Sequence, residues 1–176
     1  MKKAVLLSIA LLLALCLAGC SSKPQEFKSE AGRFSIMTPV ALQEETQPLE
    51  TEAGKISLHL FAAQEGFTGY FVSYCDYPPE FVKKKEPEQM LDGARDGATK
   101  SAKGKLVSDT KISLAGHPGL EVVIDAREPQ GPNGLIKGRL FMVGNRLYQV
   151  MVVAPKSRTD DQATDSFLQS FKLLAP

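Results

Sequence analysis

The stretch Arg146-Leu147-Tyr148-Gln149-Val150-Met151-Val152-Val153-Ala154 is apolar at both odd and even positions. Successive side chains of a strand point to opposite faces, so a strand with this pattern is covered on both sides and lies in the middle of its sheet. The dipeptide Gly144-Asn145, which precedes it, has the composition of a two-residue hairpin turn and follows another apolar stretch at 135–143. The pattern therefore predicts a central antiparallel strand around which the fold is built.

Short alternating or β-branched stretches on either side predict the other strands. They lie at 33–38, 46–51, 55–62, 68–77, 105–114 and 120–127, separated by turns rich in Gly, Pro and Asn. Within 55–62, Ile56, Leu58 and Leu60 are predicted to share one face of the sheet. From residue 105 to residue 154 the connections between strands are too short to contain crossover helices, which indicates antiparallel pairing of these strands.

A first helix is predicted over 87–103, where Pro87 occupies a favourable first helical position. Its buried stripe is formed by Met90, Leu91, Ala94 and Ala98. Gly93 and Gly97 each cost a helix about 1 kcal/mol relative to Ala, a cost that is explained if small residues let the helix lie close against a sheet.

A second helix is predicted over about 160–171. Thr159 and Gln162 have the spacing of a capping box. The inner side of this helix is predicted to consist of Ala163, Phe167, Phe171 and Leu174. The predicted fold class is therefore α+β, with a single antiparallel sheet flanked by helices in an α/β/α sandwich.

The first twenty residues have the pattern of a bacterial lipoprotein export signal. Two lysines precede an apolar run at 4–17, which is too short to span a bilayer comfortably. The sequence Leu-Ala-Gly-Cys that ends at Cys20 resembles the lipobox of bacterial lipoproteins, and this resemblance makes Cys20 the lipidated first residue of the mature protein. The alternative, a transmembrane anchor with an incidental Cys, lacks both the length and a stop-transfer cluster of charges.

The predicted organisation has three parts. Residues 1–19 are the signal peptide, residues 20–30 are a polar lipidated tether, and residues 31–176 form one α+β domain. The protein is thus expected on the extracytoplasmic side of a bacterial membrane, which is the outer membrane in a Gram-negative cell. The chain has 21 basic and 20 acidic side chains, so it has no broad electrostatic attraction for nucleic acid.

Three sequences along the chain carry a family resemblance. They are Gly-Arg-Phe-Ser-Ile-Met-Thr-Pro at 32–39, Arg-Leu-Tyr-Gln-Val-Met-Val-Val at 146–153 and Ser-Phe-Leu-Gln-Ser-Phe-Lys at 166–172. In this order, with hairpins, a helix and a meander between them, the region 31–174 resembles the PsbP-like superfamily, which includes DcrB-type bacterial lipoproteins, the photosystem II extrinsic protein P and Ran-binding Mog proteins. The resemblance implies a PsbP-like fold and a small non-catalytic protein that binds or steadies other proteins. No feature of the sequence marks a photosynthetic host, so the photosystem role is not carried over.

Residues for catalysis or metal binding are sparse. His59 and His117 lack the spacing of metal ligands, and no nucleophile elbow or glycine-rich phosphate loop is present, so we expect neither a metal nor a cofactor. His59 is expected to be a strand residue that makes one hydrogen bond, and His117 a solvated turn residue. Cys75 is expected to be a small buried hydrophobe without a disulfide partner, and the alternative is a nucleophile.

Two connections are candidates for contact with a partner. Residues 78–87 place two apolar side chains and three lysines between prolines, and the contact would be made by Phe81, Val82, Lys83, Lys84 and Lys85. The alternative is a solvated charge run with Phe81 packed onto the domain. The loop at 130–134 is either a plain hairpin connection or a mobile contact tip.

The predicted function is that of a lipid-anchored, non-enzymatic envelope protein that binds another protein. One alternative is a carrier of small ligands, which requires a deep apolar cavity between sheet and helix. The other is a thiol enzyme, which requires Cys75 and either His59 or His117 to converge in a concave site.

Overall fold

The computed structural model describes residues 23–126, 134–159 and 161–175. Its strands are β1 (Gln25–Ser29), β2 (Phe34–Thr38), β3 (Gln43–Thr51), β4 (Gly54–Glu65), β5 (Thr68–Asp76), β6 (Lys105–Leu114), β7 (His117–Ala126), β8 (Gly134–Val143), β9 (Arg146–Pro155) and β10 (Lys172–Leu173). Its helices are α1 (Pro79–Val82), α2 (Pro87–Ser101) and α3 (Gln162–Gln169). Strands hold 57% of these residues and helices 19%, so the fold is mostly β.

Seven strands form one antiparallel sheet in the order β3-β4-β5-β9-β8-β7-β6. The strand predicted to be central, β9, is the fourth of the seven and pairs with β5 and β8. The tight turn at Gly144-Asn145 joins β8 to β9, and Gly144 has a φ of 62°, a conformation that glycine adopts without strain. The central position of β9 is thus confirmed.

The predicted α+β class, with a single sheet flanked by helices in an α/β/α sandwich, is wrong. A second sheet, in the order β1-β2-β10, lies with α3 on one face of the seven-stranded sheet, and α2 lies on the other. We call these the inner and the outer face. The second sheet escaped prediction because β1 is polar apart from Phe27 and β10 has only two residues, so neither shows an alternating pattern.

The predicted tether is also longer than the actual one. Gln25 to Ser29 pair with Thr38 to Phe34 in a regular antiparallel ladder, so these five residues of the predicted tether belong to the folded domain. The predicted signal peptide and Cys20 lie outside the described residues, as do residues 130–133 of the predicted contact loop. Within the described residues, no helix is both long and apolar enough to cross a membrane.

The main core fills the space between the two sheets. Phe34 is fully buried, and its ring centroid lies 5.2 Å from that of Phe61 and 5.5 Å from that of Phe171. Phe171 also lies 5.5 Å from Tyr148 of β9, and the hydroxyl of Tyr148 donates a 2.7 Å hydrogen bond to the carbonyl of Gly32. The predicted burial of Phe167 and Phe171 is confirmed.

Helix α3 begins differently from its prediction. Its N-cap is Asp161, whose carboxylate accepts a 3.0 Å hydrogen bond from the backbone of Thr164, so the capping box of Thr159 and Gln162 is wrong. The helix ends at Gln169, and Phe171 follows it. Ala163 is exposed, because the buried side of α3 is formed by Thr164, Phe167 and Leu168.

The second core lies between α2 and the outer face of the sheet. Met90 and Leu91 are buried, and Ala94 and Ala98 pack beside them, which confirms the predicted stripe of this helix. Their partners include Val122 of β7 and Leu140 of β8. Because α2 lies over β7 and β8, it does not cover most of the outer face of β3, β4 and β5.

Candidate functional site

An open apolar groove of about 1110 Å³ runs between α2 and the uncovered part of the outer face. Its apolar lining comes from five strands and includes Leu49, Leu58, Leu60, Phe71, Ile136, Leu147, Met151 and Val153. The stretch of β9 from Leu147 to Val153 gives the groove a length of about 20 Å. The groove has about twice the volume of a second hollow, of about 540 Å³, at the edge of the main core.

Strand alternation explains why these side chains line the groove. On β5, Phe71 and Cys75 point to the groove, whereas Tyr70, Val72 and Tyr74 point to the main core. On β4, Leu58 and Leu60 face the groove and Phe61 faces the core, as the sequence predicted. One apolar face of β9 thus packs in the main core, and the other lines the groove.

The floor of the groove also carries polar groups. Ser73 of β5 and Gln149 of β9 are directly paired in the sheet, and both line the groove. Gln89 adds a further amide from α2. An occupant of the groove therefore meets hydrogen-bonding groups near the middle of an apolar surface.

Gly93 and Gly97 are placed differently from the prediction. Both line the groove, and a Cβ atom built on either would meet nothing within 4 Å, so they do not allow close packing of α2 onto the sheet. At 100° per residue they fall beside the stripe of Met90, Leu91, Ala94 and Ala98, on the edge that faces the groove. The helix therefore presents bare backbone to the groove over two turns.

One end of the groove is closed by the connection from β5 to α2. Phe81 stacks on Tyr77 with a centroid distance of 5.9 Å, and the Lys85 ammonium lies 4.8 Å from the Phe81 centroid. Lys85 also forms a 2.6 Å ion pair with Glu52, and this hydrogen bond lowers the pKa of the Glu52 carboxyl. The ion pair joins the β3–β4 hairpin to the segment before α2.

Two of the five predicted contact residues, Phe81 and Lys85, line this end of the groove. Val82 packs against the second core, and Lys83 forms a 2.8 Å ion pair with Glu80. Lys84 is exposed. The half-buried Phe81 corresponds to the alternative of a side chain packed onto the domain, and contact of this segment with a partner stays a prediction.

Cys75 lies in the floor of the groove but only 1% of its surface is exposed. Burial, followed by the negative charge of Asp76, raises the pKa of its thiol to about 11 against the opposing effect of a hydrogen bond with Tyr77. Burial likewise raises the pKa of Tyr77 to about 12. The thiol is therefore protonated at neutral pH, which is the opposite of an activated nucleophile.

Neither histidine approaches Cys75. His59 lies on the opposite face of the sheet, where its Nδ1 is 3.1 Å from the Thr46 hydroxyl and its ring stacks on Tyr74 at 4.5 Å. This matches the expected strand residue with one hydrogen bond. His117 begins β7, and β9 and β8 separate that strand from β5. Among the described residues, no three His, Cys, Asp or Glu side chains are close enough to hold a metal ion.

A smaller hollow of about 540 Å³ lies at the edge of the main core, beside His117 and Arg146. Arg146 makes two 2.7 Å hydrogen bonds to Asp76, donates a third to the carbonyl of Ala31 and stacks on Tyr74 at 4.3 Å. These contacts link the two sheets. The hydrogen-bond donors of Arg146 are therefore used in contacts within the domain, which gives this residue a structural role.

The fold of this chain has a counterpart among solved structures. The solution structure of cyanobacterial PsbP (CyanoP) from Synechocystis sp. PCC 6803 superimposes with a TM-score of 0.59, covering 90% of this chain and 96% of that chain at 9% sequence identity. The chain whose sequence is analysed above therefore has a PsbP-like fold. The resemblance predicted from the sequence is thus confirmed at the level of the fold.

The PsbP-like fold is all that the comparisons establish. A protein of unknown function from Pseudomonas aeruginosa matches 78% of this chain and 87% of its own at 9% identity, but its TM-score of 0.39 is too low to support an argument. No family model and no curated protein matches the sequence. Kinship with DcrB-type lipoproteins or Mog proteins remains a prediction.

Proposed function

We propose that this protein is a lipid-anchored, non-catalytic protein of the bacterial cell envelope whose PsbP-like domain binds an apolar segment of another protein. The observation that carries the proposal is the open groove between α2 and the sheet. A contiguous apolar surface of this kind is typical of sites where proteins bind one another. Its floor of Leu58, Leu60 and Phe71 is built on strands, so it is rigid before a partner arrives.

The two glycines of α2 support a bound partner. Gly93 and Gly97 each destabilise the helix by about 1 kcal/mol relative to Ala, and no described residue packs where their side chains would be. Bare helix backbone one turn apart allows another backbone to approach closely, as small residues do at helix interfaces. The glycines are therefore explained by an occupant of the groove rather than by packing within the domain.

The polar groups of the floor favour a polypeptide over a hydrocarbon chain. An acyl chain laid on Ser73 and Gln149 would remove these groups from water without giving them hydrogen bonds, which is costly. A peptide segment offers amide and side-chain partners at every residue. The groove is also open, whereas carriers usually enclose most of the ligand surface.

Attachment to the membrane rests on the sequence. The lipobox-like residues before Cys20 and the export signal support acylation, and two or three acyl chains bind a membrane much more firmly than one. The non-catalytic assignment is supported by the buried protonated thiol of Cys75 and by its separation from both histidines.

Site-specific crosslinking from the groove tests this proposal. A photoreactive benzoylphenylalanine replaces Phe71 in the full-length chain in membranes, and a matched control carries it at Lys111, an exposed position on the edge strand β6. We expect the Phe71 position, and not the control, to give a protein adduct of defined mass. Gly97→Leu, which fills the groove, should abolish the adduct.

The carrier alternative predicts a different outcome. Cis-parinaric acid would then fluoresce on binding the wild-type protein and lose that signal in Gly97→Leu, while the Phe71 position gave no protein adduct. This result would replace the proposed protein partner with a small apolar ligand.

A further inference from the structure

Phe67 is the most exposed large apolar side chain in the described part of the molecule, with 78% of its surface in water. It sits at the tip of the β4–β5 hairpin, after Gly66, which has a φ of 58°. The Gln64 side chain donates a 2.9 Å hydrogen bond to the carbonyl of Gly66 and fixes the turn. The aromatic ring is therefore held outward by an ordered turn.

Basic side chains lie at the same end of the seven-stranded sheet. The strand pairing places a row of residues across this end of the sheet. In it Gly69 lies opposite Val153, and Asp125 lies opposite both Leu135 and Lys105. The exposed basic residues next to this row are Lys103, Lys105, Lys156 and Arg158. The described acidic residues there are Glu65, Asp125 and Asp161. Asp125 is paired with Lys156 at 3.1 Å, and the charge of Asp161, like those of Glu65 and Arg158, acts on Tyr70 beside Gly69. The four basic residues exceed the three acidic ones by one, so this end is weakly basic around one projecting aromatic ring.

The start of the domain lies towards the same end. Gln25 pairs with Thr38, and Gln43 follows Thr38 by five residues. Gln43 pairs with Ala62, and Ala62 is three residues before the end of β4, where the Phe67 turn begins. Gln25 is five positions after Cys20, and an extended chain of that length spans at most about 17 Å. A lipid on Cys20 would therefore keep this end near the bilayer.

We propose that the Phe67 hairpin inserts into the interfacial layer of an anionic bilayer, with Lys103, Lys105, Lys156 and Arg158 against the headgroups. Phe suits the boundary between headgroups and acyl chains, and basic residues attract anionic lipids. The basic groups spread from β9 to β6 across a width of about 14 Å without forming a pocket, which fits a fluid lipid surface better than a shaped protein partner. The inference rests on the proposed lipid anchor. In this orientation the strands are roughly perpendicular to the membrane, and the groove opens to the side.

The chain contains no Trp, so Phe67→Trp provides a single fluorescent reporter at the tip. The lipidated full-length variant is reconstituted in vesicles of phosphatidylcholine and phosphatidylglycerol that contain brominated acyl chains. We expect a blue-shifted emission and at least about twofold quenching relative to vesicles without bromine. Lys55→Trp, at the opposite end of β4, is the matched control and should be unquenched.

Charge and anchoring are tested separately. Lys103→Glu with Lys105→Glu should reduce the quenching of the tip reporter, and so should vesicles of phosphatidylcholine alone. If the protein sediments with the vesicles but the tip reporter remains unquenched, docking is wrong and the anchor stands. If the tip reporter is quenched yet the chain washes off as readily as Cys20→Ala, the anchor is wrong and docking stands. Quenching that is unaffected by the two Lys substitutions would overturn the headgroup contacts.

Discussion

The environment of Cys75 determines its chemistry more than its residue type does. Burial raises the pKa of its thiol to about 11 from an ordinary value of 9.0, so the unfolded chain loses this proton at lower pH than the folded protein. Between these values the unfolded state binds fewer protons, and stability falls as the pH rises. Below pH 9 the thiol is protonated in both the folded and the unfolded state, so its ionisation does not reduce stability there.

We therefore predict that Cys75→Ala weakens the pH dependence of stability. The wild-type protein should lose up to about 2 to 3 kcal/mol more than the variant between pH 9 and 11, because one pKa unit corresponds to about 1.4 kcal/mol. Urea denaturation at several pH values measures this difference. Parallel curves for the two proteins would show that the thiol ionises as readily in the fold as in the unfolded chain.

Cys20 is the residue on which membrane attachment depends. In our proposal its sulfur carries the lipid, so Cys20→Ala should abolish both cleavage before residue 20 and tight membrane binding. Fractionation and mass spectrometry of the N-terminus measure the two effects. A variant that is still cleaved there and still found with the membranes would contradict the lipid anchor.

At the scale of elements, α2 has a packed stripe and a bare edge. Gly93→Ala and Gly97→Ala should each raise the free energy of unfolding by about 0.5 to 1 kcal/mol, because both positions have open space and helical backbone. The same changes should weaken crosslinking from Phe71, since they fill the groove. Stability and binding thus move in opposite directions, and a gain in both would remove the explanation of the glycines as a contact surface.

Helix α3 provides the second test of an element. Phe167 lies 5.1 Å from Tyr70, and Phe171 stacks between Phe34 and Phe141. Truncation of either Phe to Ala should cost about 3 to 5 kcal/mol, whereas exposed Gln169 should tolerate Ala within about 0.5 kcal/mol. Urea denaturation of the form without lipid makes the comparison, and equally small effects at all three positions would mean that α3 and Phe171, which follows it, do not cover the sheet.

Elements with a strong period were predictable, and those without one were not. The strands β4 to β9 and helix α2 follow from alternation or from a 3.6-residue stripe, and turns such as Gly144-Asn145 mark their ends. The strand β1 was mistaken for a tether because only Phe27 in it is apolar. The one-turn helix α1 and the two-residue β10 are too short to produce any period.

The candidate site was harder to predict than the strands that form it. The sequence indicated that β9 is apolar on both faces, but not that part of its outer face lacks a cover. That depends on which strands α2 lies over, and this is decided by tertiary packing against Val122 and Leu140. The position of Gly93 and Gly97 beside the apolar stripe was the one available signal, and it was attributed to the sheet instead of the groove.

At the scale of the whole molecule, stability comes from two cores on opposite faces of one sheet. The main core is aromatic and joins the two sheets, and Arg146 adds ionic and carbonyl contacts between them. The second core is aliphatic and holds α2. A sheet covered on its inner face, and over β7 and β8 on its outer face, provides enough buried apolar surface for a domain of this size without cross-links.

The domain should therefore melt at the same temperature with and without a reductant or a chelator. Cys75 is buried and free, and no described cluster of side chains has the composition of a metal site. Removal of a native disulfide typically costs a small domain about 2 to 5 kcal/mol, and 1 kcal/mol shifts the melting temperature of a domain this size by roughly 2 to 4 °C. A shift of more than a few degrees with either reagent would mean that a cross-link or a metal holds the two sheets, and that the aromatic core between them is not sufficient.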